Sequence, residues 1–331
     1  MLSLLKNKLA LAALCLGFLL TPFAGHAESD SDLGKVAEQH TRYIATYFPG
    51  RMSGTPAEFL TAEYLLQQFS QLGYRAHIRH EPGAARPLSA TSVVAERPGQ
   101  LPQEIVVITH IDTPQSYTAQ QRLNNVGGLN FQGVDNNAAS LGVMLELAKR
   151  LADHHNEYSL RFVALGGTQP PLQGMSDYLK SLSIDQRKNM LLVVDMTNIV
   201  AGKHLAFLSG NTTAAAVRKQ TTDQAKAIAQ QHAIQLLTAQ LASSRSRTLT
   251  AYEQVGLPYL RVTSSDAGKL TTLATGETQS VLRDNAAKDN LAYINRHYPH
   301  RLTQRSYQLV TILTPLLRGL LTPTHASAIK H

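Results

Sequence analysis

The residues with the most chemical content lie where apolar runs stop. Ile105-Val-Val-Ile-Thr109 leads directly into His110-Ile-Asp112. A histidine two residues ahead of an aspartate can offer one ring nitrogen to a metal while the carboxylate accepts the other ring N–H and fixes the tautomer. The alternative is a plain hydrogen-bonded histidine at a strand end, since His-x-Asp triplets also arise by chance. Gly133-Val-Asp135-Asn136-Asn137 opens a second apolar-patterned run. Asp135 there is either an oxygen ligand or the N-cap of the helix that follows. Asp195, in Val194-Asp-Met-Thr-Asn198, closes a third run. It is either a ligand or a satisfied polar residue at a loop. His110, Asp135 and Asp195 are therefore the candidate metal ligands.

Such residues act together only if the fold brings them together. Helical periodicity appears at 31–47, 56–72, 137–151, 172–182, 212–232, 250–255 and 301–320. Thr55 caps the second of these, Pro56 suits its first turn, and Glu58 sits where a capping-box acid reaches back. Phe59, Leu66, Phe69 and Leu72 make its apolar face. Runs at 75–80, 90–96, 104–109, 160–165, 190–194 and 258–262 read as strands, the later ones continuously apolar, as strands buried on both faces are. Strands alternating with helices at this spacing give an α/β fold. A mixed, largely parallel central sheet flanked by helices on both faces is expected. In such sheets the chemistry gathers beyond the carboxyl ends of the strands. The positions just after 109, 166, 194 and 263 are the ones to inspect.

The first 27 residues stand apart. Lys6 and Lys8 precede an apolar run, Leu9–Leu20, and the stretch closes on small residues at Ala27. This is the layout of a cleavable secretory signal, which places the mature chain, 28–331, in the periplasm or outside the cell as one domain. Cys15 is the one cysteine, so cleavage leaves no thiolate to act as nucleophile or ligand. The formal charge of +8 becomes +6 once Lys6 and Lys8 are removed. The excess is spread thinly and no nucleic-acid-binding module accompanies it. No second apolar run reaches membrane-spanning length. No Gly-x-Ser-x-Gly elbow argues for a serine hydrolase.

His110-x-Asp112 and the Gly133–Ser140 helix entry, with Phe48-Pro-Gly-Arg-Met-Ser-Gly-Thr-Pro-Ala-Glu58 and Arg161-Phe-Val-Ala164, resemble the dinuclear-zinc aminopeptidases. That is the family of bacterial leucyl aminopeptidase, glutamate carboxypeptidase and glutaminyl cyclase, and the likeness runs through most of residues 35–320. It implies a zinc-exopeptidase fold of the phosphorylase/hydrolase-like kind. It also implies a first zinc ligand at His110 and an orienting carboxylate at Asp112. Four other positions depart from the family pattern. The bridging carboxylate is replaced by Asn136, beside Asp135. Thr168 stands in place of the Glu base, and Gln169 in place of the next ligand. Arg283-Asp284-Asn285 holds no histidine where the last ligand belongs, leaving Asp284 or Asn285 there. An ungapped comparison also puts Thr197, not Asp195, at one ligand position. A threonine hydroxyl has no accessible basic form near neutral pH.

The resemblance, with these departures, implies an exported peptidase-like protein that binds a peptide or protein partner without hydrolysing it. At most one zinc ion is expected. The alternative is an aminopeptidase or cyclase with a single or rearranged zinc. Arg245 and Arg247 are a solvated loop or a wall of the substrate pocket that contacts a peptide carboxylate.

Overall fold

A computed structural model of the chain describes residues 32–81, 90–114, 131–169, 173–241, 247–266, 282 and 286–322. The leader, residues 1–27, lies outside them, as do Arg245, Asp284 and Asn285. Eight strands form one sheet: β1 (Arg75–Glu81), β2 (Ala90–Arg97), β3 (Leu101–His110), β4 (Tyr158–Leu165), β5 (Met190–Met196), β6 (His204–Ser209), β7 (Leu236–Gln240) and β8 (Tyr259–Ser265). Their spatial order is β1-β2-β4-β3-β5-β8-β6-β7. The pairs β3–β4, β3–β5, β5–β8 and β6–β7 are parallel, and β1–β2, β2–β4 and β6–β8 are antiparallel. The sheet is thus mixed and largely parallel at its centre.

Central strands are buried on both faces, and their apolar runs feed two separate cores. Ile105, Val107, Val194 and Met196 belong to one core, and Val106, Ile108 and Val193 to the other. The first core receives α1 (Lys35–Tyr47), α2 (Pro56–Gln71), α3 (Ala139–Leu151), α6 (Ala215–Gln231) and α9 (Arg301–Leu321). The second receives α4 (Gly174–Ser181) and α7 (Arg247–Gln254). Two short helices, α5 (Ile184–Asn189) and α8 (Leu291–His297), complete the set. None of these helices is long and apolar enough to cross a membrane.

The site-bearing helix α3 is fixed to its neighbours by charge as well as packing. Its buried Glu146 accepts the N–H groups of Gly34 (2.9 Å) and Ala37 (2.7 Å), the open donors at the start of α1. Arg150 lies against the same carboxylate at 2.8 Å. Gly142 lets α1 pass close by, because a Cβ there would strike the Ala37 carbonyl. A carboxylate is favourable at a helix N-terminus, where orphan N–H groups and the helix dipole converge.

Two local expectations need correction. The buried stripe of α2 is Glu58, Thr61, Ala62, Leu65 and Phe69, while Phe59 is exposed. The stripe is turned by one position because polar Glu58 is needed inside. Thr55 does cap α2, accepting the Glu58 N–H, but Glu58 returns its carboxylate to the Gly54 N–H (2.7 Å) and not to Thr55. The Thr55 N–H is already taken by the Met52 carbonyl. Strands β6 and β7 and helices α5 and α8 were not legible as elements.

Candidate functional site

The carboxyl ends of β3, β4 and β5 meet the start of α3, and the chemistry-bearing residues collect there. His110 is the last residue of β3, with its side chain 14% exposed. In the β3–β5 ladder Ile108 lies opposite Asp195. Two residues on, just past the end of β5, is Thr197, and its hydroxyl lies 3.3 Å from His110 Nε2. His110 Nδ1 lies 3.0 Å from the Asp112 carbonyl and 3.6 Å from Asp112 Oδ1. Thr197, not Asp195, therefore holds the strand-end position beside the imidazole.

Asp112 is fully buried and saturated with donors. Ser53 Oγ donates to Oδ2 (3.0 Å), the Gln169 N–H to the same oxygen (2.8 Å), and Thr168 Oγ1 to Oδ1 (2.7 Å). Burial alone pushes its carboxyl up. Bonding and charge from His110, with Thr168 and the Gln169 N–H, outweigh that and hold it below the usual carboxylate range.

Asp135 is not the expected N-cap. The chain enters α3 through one π-helical turn, Val134–Ala138, capped by Gly133 at φ 59. A Cβ on Gly133 would meet Thr113 Cγ2 at 2.7 Å and Arg51 Nη2 at 3.0 Å, so glycine is required on both counts. Asp135 then lies inside the turn. Its Oδ1 accepts the N–H groups of Val200 (2.7 Å) and Ala201 (2.9 Å), tying the loop after β5 to the helix entry. The acid that serves the entry is Asp289, 154 residues downstream. It accepts the N–H groups of Asp135 (2.7 Å) and Asn136 (2.9 Å), and its own carbonyl accepts from Gly133. Burial, with the Asp135 charge beside it, raises the Asp289 pKa.

Two further residues hold the site and were missed as site residues. Arg51, fully buried, donates to the carbonyls of Ile111 (3.1 Å), Phe48 (2.8 Å) and Gln132 (2.9 Å) and to Asn137 Oδ1. Burial lowers its pKa to about 10, against the pull of Asp289 and Asp112, so it stays cationic at neutral pH. Asn137 Nδ2 donates to the carbonyls of Ile111 (3.1 Å) and Asp112 (2.8 Å). The signal for Arg51 was its place in the glycine-flanked 48–55 loop. Nothing nearby in sequence marks Asp289.

Asp195 lies deeper on the same sheet face as His110, in the second core with Ile108 and Tyr252. Its Oδ2 accepts from Tyr252 (3.0 Å) and Arg261 (3.1 Å), and all three are buried. His110, Asp135 and Asp195 are thus not gathered round one point. No group of three or more His, Cys, Asp or Glu among the described residues is placed to hold a metal. Beside the His110 ring stand the Thr197 hydroxyl (3.3 Å), the Asn137 amide (3.4 Å) and the Asp112 carboxylate (3.6 Å), the last already committed to Ser53, Thr168 and the Gln169 N–H. Zinc is held by imidazole, thiolate or carboxylate, about four at a time. The described donors do not fit a zinc ion.

This frame of sheet, helix entry and strand-end histidine is that of a zinc exopeptidase. Residues 92–310 match the model of peptidase family M28, and the chain belongs to that zinc-dependent family. Over 349 aligned positions it is 35% identical to the alkaline phosphatase isozyme conversion protein of Escherichia coli K12, covering 97% of this chain and 99% of that one. The fold is similar to that of BSAP, a zinc aminopeptidase from Bacillus subtilis (TM-score 0.67, 11% identical, covering 91% of this chain and 98% of that one). It is also similar to that of Porphyromonas gingivalis glutaminyl cyclase (TM-score 0.62, 12% identical, covering 87% and 98%). At such identities the likeness is one of fold alone.

Proposed function

We propose that this chain is an exported, non-catalytic member of family M28 that binds a peptide or protein through the peptidase frame. One observation carries the reading. The turn after β4, where the resemblance calls for a Glu base and a Glu ligand, presents Thr168 and Gln169, and the Thr168 hydroxyl and the Gln169 N–H are both committed to Asp112. Neither group can take a proton from water near neutral pH. Export rests on the basic, apolar and small-residue order of residues 1–27. The test is hydrolysis of aminoacyl-nitroanilides by the purified protein. No turnover above buffer is expected, and turnover abolished by a chelator would overturn the reading.

A second reading, a metallo-aminopeptidase or cyclase with one zinc or a rearranged site, is favoured by His110 alone, which keeps a partly exposed imidazole at the strand end. His110→Ala leaving any measured activity unchanged would remove it.

A further inference from the structure

The two edges of the sheet differ in how they are protected. Edge strand β1 carries Arg75 and Arg79, charges of the kind that discourage a further strand from pairing. Edge strand β7, Leu236-Leu-Thr-Ala-Gln240, carries none. Among the described residues it pairs on one side only, parallel to β6. The Leu241 N–H reaches back to the Ser209 carbonyl, so by alternation Leu237 and Ala239 turn their backbone groups toward β6. Thr238 and Gln240 turn theirs outward. Beside this edge runs a groove of about 340 Å³ between β7 and the first turns of α6, with Arg218, Lys219 and Thr222 on its helical wall and Thr238, Ala239 and Gln240 on the strand. Asp223 lines the same groove and is ion-paired with Lys219. Arg218 has no acidic partner among the described residues and donates to the Thr213 carbonyl (3.2 Å).

We infer that this groove takes an extended acidic peptide segment as a ninth strand. A strand added to an exposed edge gains main-chain hydrogen bonds, and neighbouring pockets and charges choose its side chains. The outward groups of Thr238 and Gln240 supply the first element. Lys219 is paired with Asp223, so Arg218 supplies the cation on the helical wall that selects acidic side chains. The edge lies four strand spacings from β3, roughly 19 Å from the His110 strand, so the inference stands whether or not that site holds a metal.

The probe is a synthetic octapeptide alternating valine or threonine with glutamate, titrated into the full mature chain by fluorescence anisotropy. Its counterparts carry lysine for glutamate, or N-methyl groups on alternate backbone nitrogens. The glutamate peptide is expected to bind, with the lysine and N-methyl peptides weakened by about tenfold or more. Arg218→Glu together with Lys219→Glu should weaken it similarly, and hydrogen exchange at residues 236–240 should slow on binding. Because N-methylation changes only the probe, that arm reads the pairing even if a protein variant misfolds. No binding at millimolar peptide, or binding indifferent to N-methylation and to charge reversal, overturns the inference.

Discussion

Thr168 Oγ1, itself only partly buried, donates across 2.7 Å to Oδ1 of the fully buried Asp112, just past the end of β3. That contact joins the His110–Asp112 segment to the turn after β4, where the resemblance calls for two glutamates and the chain carries Thr168 and Gln169. The Asp112 carboxylate thereby anchors that turn, through the Thr168 hydroxyl and the Gln169 N–H.

Replacing Thr168 by valine removes one donor to a buried carboxylate. A hydrogen bond to a charged group contributes about 1.5–3 kcal/mol, and the urea midpoint should fall accordingly with the slope unchanged. The same change raises the folded pKa of Asp112, so acid unfolding of the variant begins at higher pH.

The Asp112 carboxyl is held below its ordinary value in the folded state. Its contribution is fully present above the unfolded pKa, near 4, and is lost as pH falls through the lower folded value. Asp112→Asn should remove that acid-limb dependence and destabilise the fold by about 3 kcal/mol at neutral pH. Denaturant titrations between pH 2 and 6 measure both.

Glu58 behaves oppositely. It is buried, and burial, with the Asp112 charge, raises its pKa to about 8 against the backbone N–H groups that favour the carboxylate. The folded state therefore keeps a proton the unfolded chain releases near pH 4.5. Stability falls as pH rises from there through about 8, by at most about 1.4 kcal/mol per pH unit. Glu58→Gln should flatten this limb between pH 5 and 8. A slope equal to that of the parent would show that Glu58 is ionised inside.

The frame was readable because burial on both faces writes itself as continuous apolar runs such as Ile105–Ile108. Strands β6 and β7 were not, since β7 is half-exposed and both are short. Helix α2 misled because its buried face includes a glutamate. The site was half legible. His110 and Asp112 stand together in sequence, and the Thr168–Gln169 departure shows by residue type. Asp289 could not be read, since its partners are the backbone N–H groups of residues 135 and 136, which no side-chain pattern reports. The one clue was a helix entry at Gly133 with no capping side chain of its own, which obliges some distant acceptor to serve it.

Asp195 supports packing through Arg261 and Tyr252. Asp195→Ala leaves the Arg261 charge buried without its carboxylate and should cost about 3–5 kcal/mol. Zinc affinity, whatever its value in the parent, should be unmoved in the fraction that stays folded. A stable variant with altered metal binding would make Asp195 a ligand.

The central claim, that the peptidase frame persists here without its metal chemistry, is tested most directly by the zinc content and affinity of the purified chain, residues 28–331, by elemental analysis and calorimetry. The account predicts no stoichiometric zinc and no binding at micromolar metal. One tightly held zinc per chain would contradict it.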